Sequence, residues 1–319
     1  MVIPSVQAIK AETDRALRRA NDPRKVILAY AGITVLLSDR IAGTGGLANF
    51  GIRSILSTAQ SVLPMIQSIA LLCLEFGYLH ATLRISRGQY ADHTDLKVGF
   101  HRFGAIIRLT MWQYFLIFSV TMMLFYLSMQ IFILTPWADP LLDLLTPLVT
   151  EAGANAAALM DEAMMDQALQ MMVPMLVIYG IVCCVVLIPI LYGFRMANYV
   201  LLDDPNGRAF AALRTSKQMM RRNKFRLFKL DLSFWWYYGL VALATAISYG
   251  DAILPMLGIQ LPFNETIGFY LFYFLYLAML FAIYYFLRNP MAVAYAKAYD
   301  SLREKPADNG VVLGNIFDL

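Results

Sequence analysis

Between Ala209 and Tyr238 the chain passes from its most basic stretch directly into one of its most hydrophobic. Arg214, Lys217, Arg221, Arg222, Lys224, Arg226 and Lys229 precede an apolar run headed by Trp235 and Trp236. Basic residues at a hydrophobic boundary, with tryptophan at headgroup depth, mark where a segment leaves the cytoplasmic face and enters a bilayer. Backbone amides in hydrocarbon must satisfy one another, which a helix does within itself. The junction therefore points to an all-α, polytopic transmembrane helical bundle.

Composition agrees. Hydrophobic residues make up 59% of the 319 and charged residues 15%, with a mean hydropathy of +0.58. A soluble domain carries about 25% charged and about 45–50% apolar residues, so the surplus here requires lipid as solvent. The cysteines, Cys73, Cys183 and Cys184, all lie in apolar runs. They make a poor disulfide or zinc framework and are expected to be small buried hydrophobes. The first twenty residues carry Lys10, Glu12, Asp14, Arg15, Arg18 and Arg19 and have no continuous apolar core, unlike a cleavable signal peptide. Val6, Ile9, Thr13, Ala16, Leu17 and Ala20 recur near one face at helical spacing. This pattern predicts an N-terminal amphipathic helix, at the interface or against the cytoplasmic span ends.

Six spans fit the hydropathy, near 24–42, 54–83, 104–134, 171–202, 230–257 and 265–288, in a single integral membrane domain of residues 1–319. Pro189, deep in the fourth, cannot donate a backbone hydrogen bond and predicts a kink. Charge sets the orientation. Every Lys and Arg except Arg40 and Arg53 falls in the N-terminal segment, in 84–108, in 195–229 or in the tail from Arg288. The opposite side has the loop 135–170, which carries Asp139, Asp143, Glu151, Asp161, Glu162 and Asp166 and no basic residue. Both termini are thus expected in the cytoplasm. The loop reads as turns followed by a surface helix leading into the fourth span. A divalent cation or a basic partner is the alternative, although the carboxylates lack the spacing of a calcium loop.

Two cytoplasmic hairpins look like variants of one unit. Each leaves a span through a Gly–aromatic corner (Gly77–Tyr78, Gly193–Phe194), passes a short turn (Ser86 to Gly88, Asp203 to Gly207) and returns through a basic amphipathic segment. In the second, Asp203, Asp204, Pro205 and Asn206 form a turn suited to cap the next helix. The seven basic residues from Arg214 to Lys229 are placed to attract anionic headgroups at roughly 1 kcal/mol each. Membrane lipid accounts for them without a nucleic-acid ligand, since no nucleic-acid-binding module accompanies the charge.

At these residues a resemblance becomes specific. The stretch from Asp203 to Tyr237 is similar to the core signature of the DUF975 family, bacterial integral membrane proteins of unknown function. The matching residues are Asp204 and Pro205, Ser216 and Met220, Asn223 and Lys224, Phe228, Leu230, Leu232, Ser233, Phe234 and Trp236. The segment from Gly77 to Gly88, the Gly99–Phe100 pair and the charged N-terminal helix also resemble that family's first hairpin and N-terminus. The chain departs from it in the long acidic loop 135–170 and at Arg222, where a glycine often stands. The resemblance implies an architecture and a bacterial plasma-membrane location, and supplies no catalytic residue.

Among groups that could carry chemistry, Glu75 is the outstanding intramembrane acid, near the cytoplasmic end of the second span and followed by His80 and Arg84. Asp231 stands at a similar depth on the fifth. Acids inside spans are costly and face a bundle interior, a cavity or a basic partner. Arg84, Arg108, Arg195 and Arg288 fall near the same level, so Glu75 and Asp231 are expected either in a clasp with them or in a polar cavity open to the cytoplasm. His80, His93 and His101 do not share a helix face at metal-binding spacing, and no HExxH, phosphate-loop or dinucleotide fingerprint occurs. No cofactor, metal site or catalytic residue is expected. Tyr270, Tyr273, Tyr276 and Tyr284 form a hydroxyl stripe on the sixth span, and Ala242, Ala246 and Gly250 a small-residue ridge on the fifth. The functional expectation is a non-enzymatic structural, adaptor or envelope-homeostasis protein, with an ion or small-molecule transporter as the rival. A membrane-protein partner or self-association is left open.

Overall fold

The computed structural model describes residues 3–20, 23–36, 53–140, 143, 162–204, 207–250, 253–254 and 265–303. The helices are α1 (Val6–Arg19), α2 (Pro23–Leu36), α3 (Arg53–Ser86), a 3-10 turn (His93–Lys97), α4 (Val98–His101), α5 (Phe103–Ile133) and α6 (Glu162–Phe194). They continue with α7 (Ala197–Asp203), α8 (Ala209–Met220), α9 (Lys224–Leu232), α10 (Trp235–Ser248), α11 (Glu265–Ile283), a π-helical turn (Tyr284–Arg288) and α12 (Asn289–Arg303).

Among the described residues, four stretches are long and apolar enough to cross a membrane: Met65–Ser86, Phe103–Ile133, Gln170–Asp203 and Ile267–Arg303. Helices α9 and α10 meet the same criterion jointly across a 59° bend, giving up to five. The protein is therefore an all-α, multi-pass membrane protein. The expected first span is represented by α2, 14 residues and short for a crossing; its remainder, 37–42, with Asp39 and Arg40, lies outside the described residues. So do most of the acidic loop (141–142 and 144–161), Pro205 and Asn206 of the second turn, and Pro255 near the end of the fifth span.

The chain forms two compact units, residues 1–109 with 196–319, and residues 110–195. In the first, α3 is the central post, packed by α12, α2, α7, α1, the 3-10 turn and α4. Its core joins Ala16 of α1, Val26, Ile27 and Tyr30 of α2, Leu74, Tyr78, Ala81 and Ile85 of α3, Leu96, and Ala292 and Val293 of α12. Helix α1 starts where the Ser5 side chain accepts from the Ala8 amide at 3.3 Å, and ends with Arg18 and Arg19 in its last turn. Both ends suit the helix dipole and its orphan amides. Ile9, Thr13 and Ala16 are buried at near-helical spacing, as the amphipathic pattern requires.

Two glycines bring the first hairpin onto α3. A Cβ at Gly99 would lie 1.8 Å from the Cys73 carbonyl oxygen, and one at Gly77 2.1 Å from that of Leu96. Only glycine permits this backbone-to-backbone approach. Gly88 closes the turn at φ 72°, in the left-handed region. Farther on, the π-helical turn precedes Pro290, whose ring would clash with the Phe286 carbonyl in a regular helix. The widened turn relieves that conflict, and the helix runs on to Arg303 instead of ending at Arg288.

The second unit is a different kind of surface. Met111, Tyr114, Phe115, Phe118, Met123 and Tyr126 of α5 are exposed, as are Val177, Ile181 and Val185 of α6. Phe132, Ala138 and Met175 make a small core, and Phe125 meets Tyr179 edge-on at 5.6 Å. An apolar surface this continuous belongs against lipid. Pro174 and Pro189 lie inside an uninterrupted α6. Cys73 is buried as expected, but Cys183 is half-buried and Cys184 exposed, because this part of α6 has little protein packed around it.

Candidate functional site

Of the groups singled out at the span ends, Glu75 and Arg288 form one cluster and His80 and Arg84 belong to a second, and residues the sequence did not single out form a third. In the first, Glu75 of α3 receives two donors. Tyr30 of α2 donates to Oε2, and Arg288 of the π-helical turn donates through Nη2 to Oε1 at 2.6 Å. Arg288 Nη1 also donates to the Tyr237 hydroxyl of α10 at 3.0 Å. Tyrosines wall this pair. Tyr30 and Tyr78 stack at 4.3 Å, and the guanidinium carbon lies 5.9, 6.0 and 5.7 Å from the Tyr30, Tyr78 and Tyr284 rings. Each ring face adds cation–π attraction in a place water cannot screen well. Tyr78 turns its hydroxyl away, donating to Asn289 Oδ1 at 2.8 Å. Arg288 Nε is buried without a hydrogen-bond partner among the described residues. Four elements thus meet on one carboxylate–guanidinium pair, and the π turn is what carries Arg288 there.

The second cluster gathers residues expected beside Glu75. Arg84 Nη1 donates to Asp95 Oδ1 at 2.7 Å, and His80 Nδ1 lies 3.9 Å from the same oxygen. Asp95 is buried, and its other oxygen accepts the Asp92 amide at 2.9 Å. Asp92 in turn accepts from the His93 amide at 2.7 Å, a reciprocal cap on the 3-10 turn. That amide hydrogen bond holds the Asp92 carboxyl below its ordinary pKa.

The third cluster escaped the sequence. Arg87 donates to Asp203 at 2.8 Å and to Asp300 at 2.9 and 3.0 Å. Asp203 also takes Arg303 at 2.9 Å and the Tyr299 hydroxyl at 3.1 Å, and Ser86 donates to Asp300 at 2.7 Å. Burial works against the charge on Arg87, but the hydrogen bonds to Asp203 and Asp300 outweigh it and raise its pKa. The ends of α3, α7 and α12 are tied together here.

Asp231 accepts from the Tyr295 hydroxyl of α12, which lies 3.3 Å from that of Tyr238. Arg108 turns back to the Gly104 carbonyl of its own helix at 2.9 Å, and Arg195 is exposed. The contact of Arg108 does not place it beside Glu75 or Asp231. Of the tyrosine stripe, Tyr273 is buried and stacked on Phe269, Tyr284 reaches the clasp, and Tyr270 is exposed. On α10 the buried small residues are Ala244 and Ser248 rather than Ala242 and Ala246, followed by Gly250, where a Cβ would lie 2.8 Å from the Phe272 ring.

In the basic patch, Arg214, Lys217, Arg221, Arg222, Arg226 and Lys229 are exposed and Lys224 is half-buried. Arg226 also holds the N-terminus, donating to the Ile3 carbonyl at 2.6 Å, while Asn223 accepts the Ile3 amide at 3.1 Å. Lys10 donates to the Ser233 carbonyl at 3.3 Å and lies over the Phe234 ring at 4.9 Å. Exposed Phe225 and Phe228 are stacked 6.2 Å apart on the same helix, and Lys229 lies over Phe225 at 4.8 Å.

The tyrosines Tyr30, Tyr78 and Tyr237 and the acids Asp95 and Asp300 were not anticipated. Their partners are far away in sequence, and single residues in apolar helices carry no spacing signal. A family model described as "Protein of unknown function (DUF975)" matches residues 9–303. No curated protein and no solved structure matches the chain.

Proposed function

We propose that this chain, which belongs to the DUF975 family, is a non-enzymatic scaffold of the bacterial plasma membrane, serving a structural, adaptor or envelope-homeostasis role. It crosses the bilayer six times as a single integral domain with both termini in the cytoplasm. The confinement of nearly all Lys and Arg to one set of loops supports that sidedness. Its N-terminal helix lies against the cytoplasmic span ends, and the exposed basic residues Arg214 to Lys229 meet anionic headgroups.

One observation carries the reading: Glu75 is engaged by Tyr30 and Arg288, and Arg288 by Tyr237, so the intramembrane acid is occupied by protein groups. A charge pair engaged in this manner joins helices, whereas a transport site has to offer its ligands to a solute. The second reading, a transporter using the same groups, draws on the unpartnered Arg288 Nε, a donor able to meet an anion.

Counterflow in proteoliposomes, with several ions and small metabolites, separates the two. The expected result is no specific flux, with Glu75→Gln lowering thermal stability and leaving the background rate unchanged. Saturable uptake abolished by Glu75→Gln and Asp231→Asn would replace the scaffold reading with a transporter.

A further inference from the structure

A cleft of about 620 Å³ opens between α1, the start of α2 and the π turn, with Asp14, Arg18, Arg24, Phe286 and Asn289 in its walls. That volume falls in the range of small-molecule sites, roughly 300–1,000 Å³. Its depth in the membrane follows from two helices independently. Helix α2 changes from Arg24 and Lys25 to the apolar run beginning at Val26, and the long apolar run through α11 ends at Leu287, just before Arg288 and Asn289. Helix α2 packs against both α11 and the π turn. The polar ends of two apolar helices therefore meet in one cleft, which is the level of lipid headgroups.

The walls have a matching division of chemistry. Asp14 and Arg18 stand one turn apart on the outer face of α1, opposite the buried Ile9, Thr13 and Ala16. Arg24 contributes a second guanidinium. Asp14, Arg18 and Arg24 are all exposed, and among the described residues none has an ion-pair partner within 4.0 Å. Phe286, 67% exposed, continues the wall along the apolar surface of the span.

We propose that this cleft seats one phospholipid whose headgroup carries a primary ammonium. Its phosphate rests on Arg18 and Arg24, its ammonium on Asp14, and its acyl chains run along Phe286. Guanidinium forks match phosphate oxygens, and an N–H-bearing ammonium gives Asp14 a charge-assisted hydrogen bond that a trimethylammonium cannot give. The site is separate from the Glu75 clasp and from the patch Arg214 to Lys229, and it stands whether or not the protein is a scaffold.

Native mass spectrometry of the full chain, titrated with dioleoyl phosphatidylethanolamine, phosphatidylcholine or phosphatidylglycerol, tests it. One ethanolamine lipid is expected to bind roughly tenfold more tightly than the choline lipid, the worth of one charged hydrogen bond. Asp14→Asn should erase that preference, and Arg18→Gln with Arg24→Gln should lower affinity for all three lipids. Arg15→Gln, on the same helix but outside the cleft, should change neither. An unchanged ethanolamine-to-choline ratio in Asp14→Asn, or unchanged binding in the double variant, overturns the proposal. Water-soluble glycerophosphoethanolamine binding as tightly as the lipid would overturn the assignment of a lipid.

Discussion

The two basic hairpins share a plan in sequence and use their charges in opposite directions. In the first, basic side chains turn inward: Arg84 to Asp95, Arg87 to Asp203 and Asp300, and Arg102 to the carbonyls of Leu201 and Leu202 at 2.9 and 3.1 Å. In the second, Arg214, Lys217, Arg221 and Arg222 point outward, while the buried face of α8 is Ala212, Leu213, Ser216 and Met220. The difference lies in what each hairpin packs onto. The first is drawn against α3 by Gly77 and Gly99 and encloses an acid, Asp95, which its arginine must neutralise. The second buries a neutral face and leaves its cations for whatever lies outside. A similar pattern of glycine corner, turn and basic return thus makes an internal strut in one place and an outward surface in the other.

The sharpest break of that comparison is at the glycines. Gly99→Ala places a methyl 1.8 Å from a backbone carbonyl that cannot move without α3. The expected loss is more than about 3 kcal/mol, or failure to accumulate, by thermal unfolding in detergent. Gly207→Ala in the second hairpin has the Asp204 side chain as its nearest neighbour, at 3.0 to 3.2 Å, with no backbone carbonyl among the nearest atoms, and should cost under about 1 kcal/mol. Equal effects would mean that the first hairpin is not pinned by backbone contact.

Next in size is the clasp between Glu75 and Arg288. Arg288→Leu leaves Glu75 without its cation and should cost about 3 kcal/mol, the low end for a broken buried pair because Glu75 retains some exposure. Glu75→Gln combined with Arg288→Leu should recover part of that loss. Thermal unfolding of the two single variants and the double variant closes a cycle, and simple additivity would show that the two side chains are not coupled.

Asp95→Asn is the smaller test within the first hairpin. The amide keeps an acceptor for the Asp92 amide but loses charge against Arg84, so about 1–2 kcal/mol is expected. Faster hydrogen exchange should be confined to residues 92–101, because the cap begins there. Exchange that spreads through α3 would instead make Asp95 part of the central post.

What could be read without the structure was whatever repeats or persists along the chain. The Ile9, Thr13 and Ala16 face of α1 and the exposed basic face of α8 carry local periodicity, and the apolar runs of α5 and α6 are legible by length and hydropathy alone. The importance of Glu75 was legible because a lone acid in an apolar run stands out. Its partner was legible only as one of four arginines at similar depth. Depth follows from hydropathy, but azimuth around a helix depends on packing, and the π turn before Pro290 shifts the azimuth of Arg288. Arg84 stood nearer Glu75 in sequence and goes instead to Asp95, eleven residues away across the turn. The break at Ser233 and Phe234 similarly divides what hydropathy reads as one span, 230–257, into two helices bent by 59°.

The outward surface should give the smallest effect on stability and the clearest effect on lipid. Arg214→Gln with Lys217→Gln removes two exposed charges one turn apart on α8, so thermal stability should stay within about 0.5 kcal/mol of the parent. Each charge at the bilayer surface attracts anionic lipid by about 1 kcal/mol. The boundary lipid retained in nanodiscs of mixed phosphatidylcholine and phosphatidylglycerol should therefore become poorer in the glycerol lipid. Raising salt should shrink the difference between variant and parent, because screening removes the attraction the variant already lacks. Asp95→Asn should leave lipid retention unchanged, since Arg84 faces inward. If both variants changed lipid retention alike, the contrast between an inward and an outward hairpin would fail, and the two basic segments would form one continuous surface.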